Sequence, residues 1–158
     1  MATTTFSLVR ANQVTQIHAV TPTLLSNVPF RLAEDTVPFE EWAEKQSSAC
    51  FRRFTIQNNL NYTSPLVSNT DLEIHRVNCT LLVAYPLTLG TYGLENYRSL
   101  DDLIESDIFQ LDTAIGTRGY LNYIDGQNLN SFEGSAVSTL DKCKILSMEF
   151  LTEYHVDV

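Results

Sequence analysis

The chain has 158 residues, 44% of them hydrophobic, which suffices for one core and falls short of two ordinary domains. Nineteen acidic against ten basic residues give a formal charge of −9, and this argues against a general nucleic-acid binder, whose affinity comes from clustered Lys and Arg.

From Thr5 to Val20 the apolar residues Phe6, Val9, Ile17 and Val20, with Val14 between them, recur at turn spacing and predict a first helix that Pro22 ends. Residues 21–37 are expected to be irregular. Pro38, followed by Phe39, Glu40 and Glu41, suggests a short helix through about Gln46, anchored by Trp42. From Ala49 to Gln57 the period falls to two. Cys50, Arg52, Phe54 and Ile56 share one face of a strand, and Phe51, Arg53, Thr55 and Gln57 the other. Residues 58–69, rich in Asn with Tyr62 and Pro65, are expected to form a loop or hairpin tip. A long strand then runs from about Asp71 to Tyr85, with Val77, Cys79, Leu81, Val83 and Tyr85 on one face and Pro86 as its stop.

After a Gly/Tyr loop at 89–96, Tyr97 to Gly116 reads as an acidic helix with both ends written into it. Ser99 and Asp102 resemble a capping box, and Gly116 supplies the left-handed stop. Leu100, Leu103, Ile104, Leu111 and Ile115, with Ile108 and Ala114, form its apolar face, opposite Asp101, Glu105 and Asp112. Residues 118–130 carry Tyr120, Leu121, Tyr123 and Ile124 ahead of an Asp125-Gly126 turn signal. The chain closes on strict alternation, with Leu146, Met148, Phe150, Tyr154, Val156 and Val158 against Ser147, Glu149, Glu153, His155 and Asp157.

Strands gathered before and after a helix predict a single α+β domain over residues 1–158, a mostly antiparallel, twisted sheet of four to five strands with helices packed on one face. The polar stretches near 58–69 and 126–134 are expected to be mobile loops in the free chain.

The chemistry expected from these residues is slight. Cys50, Cys79 and Cys143 are odd in number and far apart, so they read as reduced, buried thiols rather than a disulfide framework or zinc knuckle. His18, His75 and His155 lack ligand spacing, and no GxSxG, GxxxxGK or GxGxxG motif occurs. Catalytic, cofactor-binding and metal-ligating residues are therefore expected to be none. Asp101 and Asp102 are first-turn acids of the kind the helix dipole favours. The opening Met-Ala-Thr-Thr-Thr predicts no secretory signal, and no apolar run nears the ~18 residues of a membrane span, so assembly in a cytoplasm without membrane attachment is expected.

Arg52 and Arg53 are the less ordinary feature, because alternation sends one arginine to each face of the sheet. The inward one needs a partner, either an acid of the same chain or the acidic face of a neighbouring subunit. With the tyrosines around the acidic helix, the residues singled out for a subunit or partner interface are Arg52, Arg53, Asp101, Asp102, Glu105, Asp112, Arg118, Tyr120 and Tyr123.

The order of elements resembles the tail terminator family of tailed bacteriophages. The likeness is carried by Arg53-Phe54-Thr55-Ile56, Thr80-Leu81-Leu82-Val83-Ala84-Tyr85, Ser99-Leu100-Asp101-Asp102-Leu103 and Ile145 to Val156, and it spans about residues 5–158. The resemblance implies a small α+β virion subunit that forms a homohexameric ring, ends tail-tube growth and joins the tail to the head at the neck. Its implied partners are itself, the tail tube protein and a head-completion or connector protein, with DNA passing through the lumen without specific binding. It implies no catalytic residue. Another head–tail connector, such as a head-closure or tail-completion protein, has the same requirements. A cytosolic small-molecule-binding domain using a tyrosine-rich cleft around Tyr92 to Tyr123 is the more distant alternative.

Overall fold

A computed structural model describes residues 6–33, 52–59, 66–67, 72–86, 100–115, 128–139 and 143–157. The elements are α1 (Phe6–His18), β1 (Phe30–Leu32), β2 (Arg52–Asn59), β3 (Leu66–Val67), β4 (Leu72–Pro86), α2 (Leu100–Ile115), β5 (Asn128–Thr139) and β6 (Cys143–Asp157). The short helix expected near 38–46, Trp42, Cys50 and the Ser99 and Gly116 caps lie outside the described residues.

The strands form one mixed sheet in the lateral order β1-β2-β4-β6-β5. The two-residue β3 also pairs with β4, on the side of β2 and beyond its end. Only β1 and β2 run parallel; every other described pair is antiparallel. The parallel pair corrects an expectation, since residues 21–37 read as irregular and Phe30–Leu32 is a strand. Three residues are too few for a periodic pattern to register.

The alternation read from the sequence is the alternation of the core. Phe54 and Ile56 on β2, Val77, Cys79, Leu81, Val83 and Tyr85 on β4, and Leu146, Met148, Phe150 and Tyr154 on β6 are all buried on one face. Register sets them side by side: Leu81 meets Ile56 on one flank and Met148 on the other. Both helices pack on this face. Val9 and Ile17 of α1 and Leu100, Leu103, Ile104, Leu111 and Ile115 of α2 belong to the same cluster as the strand residues. On the opposite face Ala84, Cys143 and Ile145 form a small buried group with Leu82 packed against it. The free thiols of Cys79 and Cys143 are both buried.

Two further corrections concern expected loops: within 58–69, Asn58 and Asn59 extend β2 and Leu66–Val67 form β3, and β5 replaces part of the second. Residues 128–134, expected to be part of a loop, belong to a twelve-residue strand paired along β6, with a register shift between Phe132 and Gly134. It lies at the margin of the sheet, where Phe132, Glu133 and Ser135 to Thr139 are all exposed. From Phe132 to Thr139 it buries neither face, so this stretch has no apolar alternation to betray it.

Candidate functional site

Tertiary tethers fix where α2 lies. Near its start, Lys144 of β6 donates to Asp101. At its middle, Asp107 reaches both Tyr85 of β4 and Arg52 of β2. Near its end, the Gln110 amide donates to Thr21 O and accepts from Thr23 N–H, both at 2.9 Å, which ties the chain after α1 to the helix. The helix therefore crosses from β6 over β4 to the β2 side. Its outward face presents Asp101, Asp102, Glu105 and Phe109, the last 66% exposed.

Beneath α2 sits a buried polar centre. Arg52 and Asp107 are both 0% exposed, with Arg52 Nε 2.8 Å from Asp107 Oδ2. That contact is an ion pair off the N–H axis rather than an aligned hydrogen bond. The guanidinium nitrogens donate to the carbonyls of Leu24, Leu25 and Val28, and the group stands 5.6 Å from the Phe30 ring centroid. Leu25, within this wrapped segment, has φ 49°, a left-handed conformation that costs a branched side chain about 1–3 kcal/mol. Three carbonyls drawn onto one cation hold it there. Tyr85 Oη donates to Asp107 Oδ2 at 2.8 Å.

Burial pushes the Asp107 carboxyl up to about 6, against the opposing pull of Arg52 and the Tyr85 hydroxyl. Burial, with Asp107 alongside, raises Tyr85 well above the usual phenol range. The centre is shut off from solvent on all three side chains, which makes it a fastening rather than a place for substrate.

A second polar contact lies under α1. Gln13 Nε2 donates to Thr152 Oγ1 at 3.0 Å, beside Cys79 Sγ, which is 3.5 Å from the same hydroxyl. Burial raises the Cys79 thiol above its ordinary value, in keeping with a packed rather than a reactive sulfur.

The residues singled out from sequence thus divide. Arg52 is withdrawn from the interface set: its partner is Asp107 of the same chain, and burial keeps it from any neighbour. Arg53 is half-buried on the sheet face turned away from the helices. Asp101, Asp102 and Glu105 are exposed together on α2, Asp101 engaged with Lys144, and Asp112 is half-buried. Arg118, Tyr120 and Tyr123, and most of the proposed tyrosine cleft, lie outside the described residues.

Sequence reasoning missed Asp107 and Arg31. Asp107 had a signal, since it stands four residues from both Leu103 and Leu111 on the apolar stripe of α2, where a carboxylate needs a buried partner. Arg31 had none until β1 was known. Register then sets it directly beside Arg53.

Recesses among the described residues include the following two. An open groove of about 580 Å³ runs between the end of α1 and α2, lined by Gln16, Val20, Thr21, Phe109, Gln110 and Ala114 among others. A polar recess of about 390 Å³ involves Gln57, Asn78, Thr80, Glu133 and Glu149. Among the described residues no group of three or more His, Cys, Asp or Glu is placed to hold a metal ion, and no helix is long and apolar enough to cross a membrane. Comparison with models of known protein families finds no match, and comparison with curated proteins finds none.

Proposed function

We propose that this protein is a structural subunit that works by shape and self-association: the ring-forming tail terminator of a tailed bacteriophage, capping the tail tube and joining it to the head at the neck. The observation that carries the proposal is a pair of patches of opposite charge, one on each layer of the subunit. Asp101, Asp102 and Glu105 stand exposed on the helical layer, while Arg31 lies beside Arg53 on the sheet face away from the helices. A ring needs a heterologous contact, in which one patch meets a different patch of the next copy. Complementary patches on opposite layers meet that need, and charge fixes which faces approach. The order of α1, β2, β4, α2 and β6 agrees with the architecture that the family resemblance implies.

In the assembled particle the ring is a hexamer, the tube protein lies on one side and a head-completion or connector protein on the other. The net negative charge lets DNA pass through the lumen without adhering, since phosphates are repelled rather than neutralised. The work of the subunit involves no bond making or breaking and no cofactor.

Charge exchange with native mass spectrometry tests the contact. Asp102→Lys with Glu105→Lys abolishes the ring formed by the wild-type chain, alone or on tail tubes, and adding Arg31→Glu with Arg53→Glu restores it. Rings of unchanged stoichiometry and stability in the first variant contradict the proposal. Binding of the wild-type ring to portal complexes instead of tubes assigns the chain to the head-closure connectors.

A further inference from the structure

The end of α1 is tied to the strand β1 by a hydrogen bond whose acceptor can itself take a proton. Leu32 N–H donates to His18 Nε2 at 3.2 Å. Alternation puts that amide on the outer edge of β1. Pro29 O accepts from Arg52 N–H and Ala33 N–H donates to Phe54 O, so the backbone groups of Phe30 and Leu32 face away from β2. Phe54 of β2 orients the His18 ring, which stands edge-on against it with 5.4 Å between centroids.

A ring nitrogen that accepts an amide N–H carries no proton of its own, so the bond requires the neutral imidazole with its hydrogen on Nδ1. Binding a proton at Nε2 and holding the Leu32 amide exclude each other. His18 is exposed, and protons reach it directly from solvent. The charged groups on the surrounding elements are Arg31 of β1, Arg52 and Arg53 of β2, and Asp107 and Asp112 of α2. Arg52 and Asp107 are buried and turned to each other, Arg53 lies on the far face of the sheet, and Asp112 is half-buried on α2. Among the described residues no ion pair joins His18 to a carboxylate. Arg31, by contrast, donates its guanidinium to Phe30 O at 2.9 Å, on the same outer edge as the Leu32 amide. An imidazolium at His18 therefore meets a second cation on that edge.

We infer that His18 is a proton-operated clasp between α1 and β1: the neutral ring holds the Leu32 amide, and the imidazolium releases it. The release is local. β1 stays on β2 through the Ala33 and Arg52 bonds and through Phe30, which is fully buried in the core. What changes is the outer edge of β1, where acid frees an amide donor beside Arg31 and unties the end of α1. Histidine is the side chain whose charge ordinarily changes between about pH 5 and 8, so mild acidification operates the clasp. The device belongs to the single subunit, and it stands or falls independently of the ring.

Nitrogen-15 NMR of the imidazole, together with hydrogen exchange of the full chain, tests it. At pH 8 the ring proton of wild-type His18 sits on Nδ1. At the same pH the Leu32 amide, corrected for intrinsic exchange, is protected about fivefold more than in His18→Phe, which keeps a ring against Phe54 and offers no acceptor. At pH 5 the wild-type Leu32 amide exchanges as it does in the variant, while the Ala33 amide, bonded to Phe54 O, keeps its protection in both proteins. A neutral His18 ring with its proton on Nε2 at pH 8 overturns the inference. So does a wild-type Leu32 protection that is equal at pH 5 and pH 8, or one whose fall on acidification is matched in His18→Phe.

Discussion

Arg52 shows how one side chain fastens four parts of the chain. It sits on β2, binds the 24–28 segment through three carbonyls, meets α2 at Asp107 and shares that carboxylate with Tyr85 of β4. A buried charge without its partners is costly, so Arg52→Met, which keeps the stem and loses the cation, destabilises the fold by about 3–5 kcal/mol at pH 8. Urea denaturation measures this. The loss is smaller at pH 5, because the Asp107 carboxyl that Arg52 opposes is then largely protonated. In the wild-type protein Asp107 holds its proton up to about pH 6, against an ordinary value of 3.8. The folded state therefore binds more protons than the unfolded one in that window. This group's contribution to stability grows as pH falls from 6 to 4 and is absent above 6, with a span on the order of 3 kcal/mol. Asp107→Asn leaves an acceptor for Tyr85 and abolishes that slope. A variant with the wild-type pH profile contradicts the assignment of the titration to Asp107.

Among the elements, legibility tracks how unequal the two faces are. β4 and β6 could be read residue by residue because Val77 to Tyr85 and Leu146 to Tyr154 alternate between core and a polar or half-buried face, and both strands are fifteen residues long. α2 was legible for the same reason at helical period. β5 was not, since Asn128 to Thr139 is Ser, Asn, Gly and Thr for the most part, and the irregularity at Glu133 breaks what periodicity remains. β1 was too short, and its parallel pairing with β2 depends on chain geometry that no local pattern encodes. For the candidate surfaces, the acidic row on α2 followed from the helix alone. The arginine pair did not, because Arg31 and Arg53 become neighbours only through the β1–β2 register.

Two changes separate the core from its fastenings. Leu81→Ala, between Ile56 and Met148 at the centre of the sheet, opens a cavity and lowers stability by about 2–5 kcal/mol, read from the denaturation midpoint at unchanged slope. Gln110→Ala removes both bonds that hold the Thr21–Thr23 connection to α2. It costs about 1–2 kcal/mol and speeds exchange of the Thr23 amide, while amides of β4 and β6 keep their wild-type order of protection.

Across the whole molecule, two helices lie on one face of a mixed sheet, with Asp101, Asp102 and Glu105 exposed on the helical layer and Arg31 beside Arg53 on the opposite one. The charge contact is screened by salt, so the proposed ring loosens between low and high ionic strength. Native mass spectrometry across a salt series measures this.

Electron microscopy of purified phage tail tubes incubated with the full chain tests whether the subunit caps the tube. The expected result is a closed six-fold ring seated on one end of each tube and an end to further tube growth. Tubes that elongate unchanged, with the chain found only free in the background, contradict it.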